Sequence, residues 1–232
     1  MAANLHEFED GEELAETLAD AVVAALLVAT SIRGAASIAV SGGSTPKAFF
    51  QELSTRELDW EKVTITLVDE RFVPADNPRS NHLLVKENLL QNAAAAAKFL
   101  PLYQEAATAE DAAVIATEKA EKLGSPFDVV ILGMGTDGHT ASFFPGGNNL
   151  TKALDLDAPR GILTMDAEGA GEPRLTFSFA SLHDARLLVL HIEGDAKMDV
   201  LEKANEDGEE TEMPIRAVLR RSASPVEIYW AP

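Results

Sequence analysis

Cysteine is absent from the 232 residues of this sequence. Disulfide frameworks, thiolate zinc sites and cysteine nucleophiles are therefore excluded, and the composition agrees with a reducing cytosol. Long hydrophobic runs are scarce as well. The longest one near the start, residues 19–29, contains an aspartate, is too short to span a bilayer and follows an acidic segment. We expect it to form a core helix in a cytoplasmic protein that has neither a secretory signal nor a membrane partner.

Basic residues are few: 19 Lys and Arg stand against 38 Asp and Glu, which gives a formal net charge of −19. A charge of this sign argues against nucleic acid or an anionic membrane as a partner. It would also repel an anionic metabolite at long range, although salt screens that repulsion beyond roughly 8 Å. If the ligand is an anion, a few well-placed Arg and Lys side chains must overcome the background charge.

Hydrophobic residues make up 46% of the chain, enough for the core of one folded unit that spans residues 1–232. Apolar residues at three- and four-residue spacing predict a helix from Asp10 to about Ser31, closed by Gly34. Strands are predicted over residues 37–40, 63–68 and 127–135, and they alternate with helices. One helix has Pro46 in its first position, the next is capped by Ser80 after a long polar loop, and the third covers residues 110–123. This alternation predicts an α/β fold with a mostly parallel sheet covered on both faces.

The pattern is looser after Pro145. Residues 161–167, 174–180, 185–194 and 226–230 resemble strands, and residues 195–206 and 214–221 resemble helices. Some of these strands can be antiparallel and lie at an edge of the sheet. The alanine-rich tract over 92–98 is the only low-complexity segment, and we expect it to be the end of a helix.

The segment ILGMGTDGHTASFFPG, residues 131–146, contains the end of the apolar strand of residues 127–135 and the glycine-rich turn that follows it. Loops that leave the carboxyl edge of such sheets are where these folds place ligands. Asp137 lies two residues before His139, close enough in a tight turn to orient the imidazole as a general base. The plainer alternative is a solvated histidine beside an ordinary turn aspartate.

A second loop reads Ser41-Gly42-Gly43-Ser44-Thr45 and precedes a helix. Adjacent glycines let the backbone approach a ligand closely, and hydroxyls with a helix N-terminus behind them suit a phosphate or a developing oxyanion. The loop matches neither the Walker pattern nor G-x-G-x-x-G, so a nucleotide is not the favoured ligand. A plain strand-to-helix turn remains the alternative.

Charged side chains follow two further strands. Asp69 can orient a sugar hydroxyl or assist a base, and Arg71 offers a planar fork for bidentate phosphate binding. Lys197 in GDAK can add a point charge to an anion at the start of a helix. The alternatives are a surface ion pair that includes Arg71, and a solvated lysine.

Metal and serine-triad chemistry find no support in the sequence. His82, His183 and His191 lack metal-ligand spacing, and we expect His6 to lie in a mobile terminus. Candidate serines lack the G-x-S-x-G elbow; they are Ser41, Ser44 and Ser142. We therefore assign no metal.

Five motifs follow one another along the chain: SGGSTP, then DERFVP with D-x-x-x-S-N at residues 76–81, then GMGTDGHTASFFPG, PRLTFSF and GDAK. In their order and their residues these motifs resemble those of the 6-phosphogluconolactonases of the pentose phosphate pathway, and the resemblance runs from about residue 8 onward. The resemblance implies a Rossmann-like three-layer α/β fold, related to glucosamine-6-phosphate deaminase and ribose-5-phosphate isomerase. It also implies that the protein uses neither a metal nor an organic cofactor.

The same resemblance implies that the protein hydrolyses 6-phospho-D-glucono-1,5-lactone, a sugar-phosphate lactone and its one expected partner. It makes His139 the general base that activates water, with Asp137 beside it, and makes Arg71 and Lys197 phosphate anchors. The remaining implied site residues are Asp69, Gly42, Gly43, Ser44, Thr45 and Arg174. The family usually has Leu-Phe at Phe143 and Phe144, a departure that should leave the chemistry unchanged. The oligomeric state stays open between a monomer and a small homo-oligomer.

Two other functions belong to related proteins. A glucosamine-6-phosphate deaminase also carries DGH, but places a carboxylate that pairs with the histidine where this chain has Phe144. A non-catalytic sugar-phosphate-binding regulator usually adds an N-terminal helix-turn-helix, for which this chain has neither the length nor the basic charge. Both are weaker interpretations than a lactonase.

Overall fold

The computed structural model describes residues 3–232. In this part of the chain, seven strands form one parallel sheet in the order β1-β10-β9-β6-β2-β3-β5, and three form a small antiparallel sheet in the order β4-β8-β7. The strands are β1 Ala3–Glu7, β2 Ala36–Val40, β3 Val63–Leu67, β4 Asp69–Arg71, β5 Lys98–Leu100, β6 Val129–Leu132, β7 Ile162–Met165, β8 Arg174–Phe177, β9 Leu187–Glu193 and β10 Val226–Ala231.

Helices connect these strands and cover the large sheet. The α-helices are α1 Gly11–Arg33, α2 Lys47–Thr55, α3 Asn81–Asn88, α4 Ala109–Ala120, α5 Leu150–Leu154, α6 Phe179–Leu182, α7 Asp195–Asn205 and α8 Ile215–Arg221. Short 3₁₀ helices lie at Trp60–Lys62, Asn92–Ala96 and Glu121–Leu123. The predicted α/β fold with a mostly parallel sheet is confirmed.

The central strands β2 and β6 are buried along their whole length, as their continuous small and branched apolar sequences, ASIAV and VVIL, indicate. After β2 the chain continues to β3 on one side of it, whereas β6 lies on the other side. Such a reversal of strand order opens a crevice at the carboxyl edge of a parallel sheet. The loops after β2 and β6 therefore leave the sheet at the crevice where a ligand is expected.

The first helix begins and ends as the sequence predicts. The Asp10 side chain caps it by accepting from the backbone N–H of Glu12 and Glu13, and Gly34 ends it in the left-handed conformation. By length and composition α1 could cross a membrane, yet its Leu14, Leu18, Val22 and Leu26 are fully buried against α2 and the strands below. Residues 19–29 are thus part of a core helix, as expected.

Three expectations about local structure are wrong. The long polar loop after β3 begins with β4, which pairs antiparallel with β8, so the antiparallel strands form a second sheet and do not extend the first. The segment with His6 is no mobile terminus, because β1 pairs with β10 and His6 Nε2 lies 2.7 Å from Glu227 Oε2. Residues 92–98 form a separate 3₁₀ helix and the start of β5.

Candidate active site

A cleft of about 250 Å³ opens at the carboxyl edge of the large sheet. Its walls come from the loops after β2 and β6, from the small sheet and from the start of α7. Nine of the ten predicted site residues line it, and they are Gly42, Gly43, Ser44, Thr45, Asp69, Arg71, His139, Arg174 and Lys197. The tenth, Asp137, lies behind His139 and lines a separate cavity next to Met213 and Arg216. Asp137 thus contacts His139 and does not itself line the cleft.

The turn after β6 holds Asp137 and His139 together. Asp137 Oδ1 lies 2.5 Å from His139 Nδ1 and also accepts from the His139 backbone N–H at 3.1 Å. Because a carboxylate accepts at Nδ1, that nitrogen carries the proton, and Nε2 keeps the lone pair that a general base needs. The hydrogen bond from His139 is the main reason why the pKa of Asp137 falls to about 2. Asp137 is thus ionised throughout the physiological range.

Glycine is required at two positions of this turn, for two different reasons. A Cβ on Gly135 would lie 2.0 Å from His139 Nδ1, which leaves no space for a side chain. Gly138 adopts a φ of +78°, a conformation that favours glycine. The backbone N–H of Gly135 donates to the His139 carbonyl at 2.8 Å, which closes the turn around the imidazole. The spacing G-x-D-G-H is therefore a consequence of packing a histidine against its own loop.

The ring of Phe144 covers one side of the imidazole. The ring centroids of His139 and Phe144 are 4.5 Å apart, and the Arg174 guanidinium lies 5.3 Å from the Phe144 centroid. Phe144 is 5% exposed, so this flank of the histidine is apolar. A phenyl ring cannot accept or relay a proton, which separates this site from one with a carboxylate at the same place.

Three cationic side chains line the cleft, and each donates a hydrogen bond to a backbone carbonyl oxygen. Arg71 Nη1 donates to the Arg79 carbonyl at 2.6 Å, Lys197 Nζ donates to the Met134 carbonyl at 2.7 Å, and Arg174 Nη2 donates to the Ala170 carbonyl at 2.6 Å.

Carboxylates compensate these charges only weakly. Within residues 3–232 neither Arg71 nor Lys197 lies within 4 Å of a carboxylate, and Arg174 Nη1 stands 3.9 Å from Asp69 Oδ2. Burial lowers the pKa of Lys197, and the nearby Asp137 charge opposes that shift. Burial likewise lowers the pKa of Arg174. The cleft therefore offers positive charge to an anion inside a strongly acidic protein.

Asp69 lies at the start of the small sheet and is buried, with 6% exposure. Its Oδ2 accepts from the Ser142 hydroxyl at 2.6 Å, which ties β4 to the loop that carries His139. The sequence suggested that Asp69 orients a sugar hydroxyl or assists the base. Its place on the cleft wall allows contact with a ligand, and the contact with Ser142 links the two loops.

The loop after β2 approaches the small sheet closely. A Cβ on Gly42 would lie 2.0 Å from Asn81 Oδ1, so only glycine fits there while the amide keeps its position. Gly43 adopts a φ of +93°, which also favours glycine. Pro46 precedes the first helical residue of α2, one position earlier than predicted.

Asn81 and His191 are among the cleft residues that the sequence did not assign to the site. Asn81 is 2% exposed, and its Nδ2 donates to the Asp69 carbonyl at 2.9 Å while its Oδ1 accepts from Arg71 Nη1 at 3.0 Å. His191 is also 2% exposed, and its Nε2 lies 2.9 Å from Glu193 Oε1. The signal for Asn81 was the D-x-x-x-S-N motif, and that for His191 was its place at the carboxyl end of an apolar strand.

A metal finds no ligand set in the part of the chain that the structure describes, because no three His, Asp or Glu side chains meet there in a way that could hold an ion. The expectation of a metal-free protein remains a prediction that elemental analysis can test.

Comparison with known proteins agrees with this fold. Residues 9–230 match the family described as glucosamine-6-phosphate isomerases/6-phosphogluconolactonase. A 6-phosphogluconolactonase of Rhizobium meliloti (strain 1021) is 66% identical over 232 residues and covers 100% of both chains. The crystal structure of a 6-phosphogluconolactonase from Shewanella baltica OS155 is 41% identical, with a TM-score of 0.95 over 99% of this chain and 98% of that one. A monomeric glucosamine-6-phosphate deaminase, 18% identical, shares the fold with a TM-score of 0.78 over 98% of this chain and 97% of its own. The chain belongs to the glucosamine-6-phosphate isomerase/6-phosphogluconolactonase family.

Proposed function

We propose that this protein hydrolyses 6-phospho-D-glucono-1,5-lactone to 6-phosphogluconate in the oxidative pentose phosphate pathway. The observation that carries the proposal is a histidine backed by a carboxylate, at the edge of a cleft where neither Arg71 nor Lys197 lies within 4 Å of a carboxylate of residues 3–232. The relative that is 66% identical over the full chain supports the same activity. A lactone with a phosphate group presents both an electrophilic carbonyl for the base and an anion for the cations.

His139 acts as the general base in this proposal. Its Nε2 takes a proton from water as the water oxygen attacks C1 of the lactone, and the resulting imidazolium is stabilised by Asp137. When the tetrahedral intermediate collapses, the bond between C1 and the ring oxygen breaks, and the imidazolium returns a proton to that oxygen. General base catalysis of this kind contributes roughly 10²–10⁴-fold, which is sufficient because the lactone is already reactive.

The cations and the glycine loop recognise the anionic parts of the substrate. Arg71 and Lys197 bind the phosphate, and the backbone N–H groups around Gly42 and Gly43 stabilise the oxyanion that forms at C1. Asp69 contacts the sugar hydroxyls. Because the protein carries a net charge of −19, these local cations supply the attraction that the overall field does not.

Phe144 argues against the deaminase interpretation. A deaminase of this fold needs a carboxylate that pairs with the histidine at the position of Phe144, in addition to the aspartate of the turn. Here that position holds an apolar ring, whose centroid lies 4.5 Å from that of the imidazole. We further propose that the protein is cytosolic and that it is a monomer or a small homo-oligomer. It needs no metal, organic cofactor, nucleic acid or membrane.

The test is a coupled assay. Freshly prepared lactone is supplied, and the 6-phosphogluconate that forms is followed with its NADP-dependent dehydrogenase, after subtraction of spontaneous hydrolysis. We expect a rate that is proportional to enzyme concentration, and no ammonia release from glucosamine 6-phosphate. A rate no higher than the spontaneous one, or ammonia release without lactone hydrolysis, would refute the proposal.

A further inference from the structure

Glu70 is a buried carboxylate that the proposed chemistry does not use. It lies between Asp69 and Arg71 in β4 and is 0% exposed. Because side chains alternate along a strand, Asp69 and Arg71 share the face that lines the cleft, whereas Glu70 points to the opposite face. Glu70 therefore does not touch a ligand in the cleft.

Four hydrogen bonds converge on this carboxylate. Oε1 accepts from the backbone N–H of Arg71 at 2.7 Å and of Asn81 at 2.8 Å. Oε2 accepts from the Ser80 hydroxyl at 3.0 Å and from the backbone N–H of His82 at 2.8 Å. Burial raises the pKa of Glu70, and these four donors oppose that shift. The donors come from β4 itself and from the first turn of α3, so Glu70 joins the two elements.

The first turn of α3 is a favourable place for a negative charge, because unpaired N–H groups and the helix dipole meet there. Ser80 also caps the helix by accepting from the backbone N–H of His82 and Leu83. The anion at this helix start is the protein's own carboxylate, and its effect is to fix where α3 begins relative to β4.

Two cleft side chains depend on that junction. Arg71 Nη1 donates to Asn81 Oδ1, and Asn81 Nδ2 donates to the Asp69 carbonyl. Glu70 holds the backbone N–H of Arg71 and of Asn81 through one oxygen, so the two residues are tied through their backbones as well as through their side chains.

We propose that Glu70 is a positioning residue: it fixes Arg71 and Asn81 and thereby sets the affinity of the cleft for the phosphate of the substrate. The inference rests on the proposed function, since it takes Arg71 as a phosphate anchor. It predicts a loss that is confined to phosphate binding and spares the step at His139.

The variant Glu70→Gln tests this. A carboxamide keeps the size of the side chain but has one acceptor oxygen, so two of the four donors lose their partner. We expect the KM for the phosphorylated lactone to rise about tenfold or more, the loss expected when a charge-assisted hydrogen bond is misplaced. We expect kcat, and kcat/KM for unphosphorylated glucono-lactone, to stay close to those of the wild type.

Ser80→Ala is a milder second variant, because it removes one of the four donors. Its matched control is Thr108→Ala, which removes the cap of α4. Thr108 Oγ1 accepts from the Asp111 backbone N–H, and Thr108 does not line the cleft. We expect Ser80→Ala to raise the KM for the phosphorylated lactone severalfold and Thr108→Ala to leave it unchanged. If Glu70→Gln does not fold, this pair decides the question.

Binding of inorganic phosphate, measured by calorimetric titration of the wild type and of Glu70→Gln, separates this inference from the proposed function. If the wild type does not hydrolyse the lactone but Glu70→Gln binds phosphate more weakly, the function fails and the positioning role stands. An unchanged phosphate affinity and KM, or equal losses of activity with both lactones, would overturn the positioning role.

Discussion

The substitution Asp137→Asn isolates the contribution of the carboxylate to the histidine pair, because it removes one charge and hardly any volume. The hydrogen bond from His139 is the largest cause of the fall in the Asp137 pKa from 3.8 to about 2. In a shielded site such a difference corresponds to about 2.5 kcal/mol. The Asp137 side chain is 49% exposed, so water screens the interaction and we expect about 1 kcal/mol. An asparagine oxygen can still accept from Nδ1 and keep the ring oriented, so kcat should fall only about 5- to 10-fold.

The assay is the coupled lactone assay at pH 7, with kcat and KM determined separately and circular dichroism as a check on folding. His139→Ala is the comparison, and it should lose on the order of 10²-fold or more in kcat, because it removes the base itself. Two results would refute the reasoning. A wild-type kcat for Asp137→Asn would mean that the carboxylate does not act through the imidazole, and a loss as large as that of His139→Ala would mean that it does more than assist.

The same variant has a pH signature. The folded-state pKa of Asp137 lies below its unfolded value of 3.8, so the carboxylate stabilises the protein above about pH 4, and this stabilisation is lost as the pH falls through about 2. The free energy of unfolding of the wild type should exceed that of Asp137→Asn by about 1 kcal/mol at pH 7, and most of this difference should be lost near pH 2. Urea titrations at the two pH values measure it. A difference that is independent of pH would assign the effect to packing.

Three further predictions concern the cleft and its surroundings. Arg71→Ala and Lys197→Ala should each lower kcat/KM for the phosphorylated lactone about 10- to 150-fold and leave the unphosphorylated lactone nearly unchanged; equal losses with both substrates would assign these residues to the fold or the catalytic loop. Phe143→Leu should keep kcat within about twofold and lower the free energy of unfolding by about 1 kcal/mol in urea titrations, because a smaller side chain replaces a fully buried ring. Gly42→Ala should lower kcat/KM about tenfold, as expected when one charge-assisted contact moves, because the new Cβ would displace Asn81. Unchanged kinetics would show that the Asn81 amide can move without affecting activity.

The sequence predicted the parts of the site that local patterns encode. Apolar strands followed by glycine turns place their loops at the sheet edge where ligands bind, so the loop that begins at Ser41 and the turn around His139 were both expected to be candidate ligand sites. A two-residue spacing in a tight turn also predicted the contact between Asp137 and His139, and the structure shows it at 2.5 Å.

What the sequence did not reveal depends on partners that are distant along the chain. Three charged residues, DER, carry no strand pattern, and β4 exists because β8 pairs with it. Asn81 looks like an ordinary residue at the start of a helix, and it becomes part of the cleft because Gly42 leaves room for its amide. The mixed sequence of β1, ANLHE, becomes a strand only against β10.

The pairing of β1 with β10 has a consequence for how the protein is made. Asn4 Nδ2 donates to Glu227 Oε1, a residue that lies 223 positions later in the chain. A ribosome adds about 5–20 residues per second, so β1 waits roughly 10–45 s before its partner exists. During that time the five neighbouring strands β9, β6, β2, β3 and β5 can assemble, and β10 and β1 are added at the β9 side afterwards. The β1 sequence ANLHE has one large apolar side chain, Leu5, so the waiting segment offers little apolar surface through which an incomplete chain could aggregate.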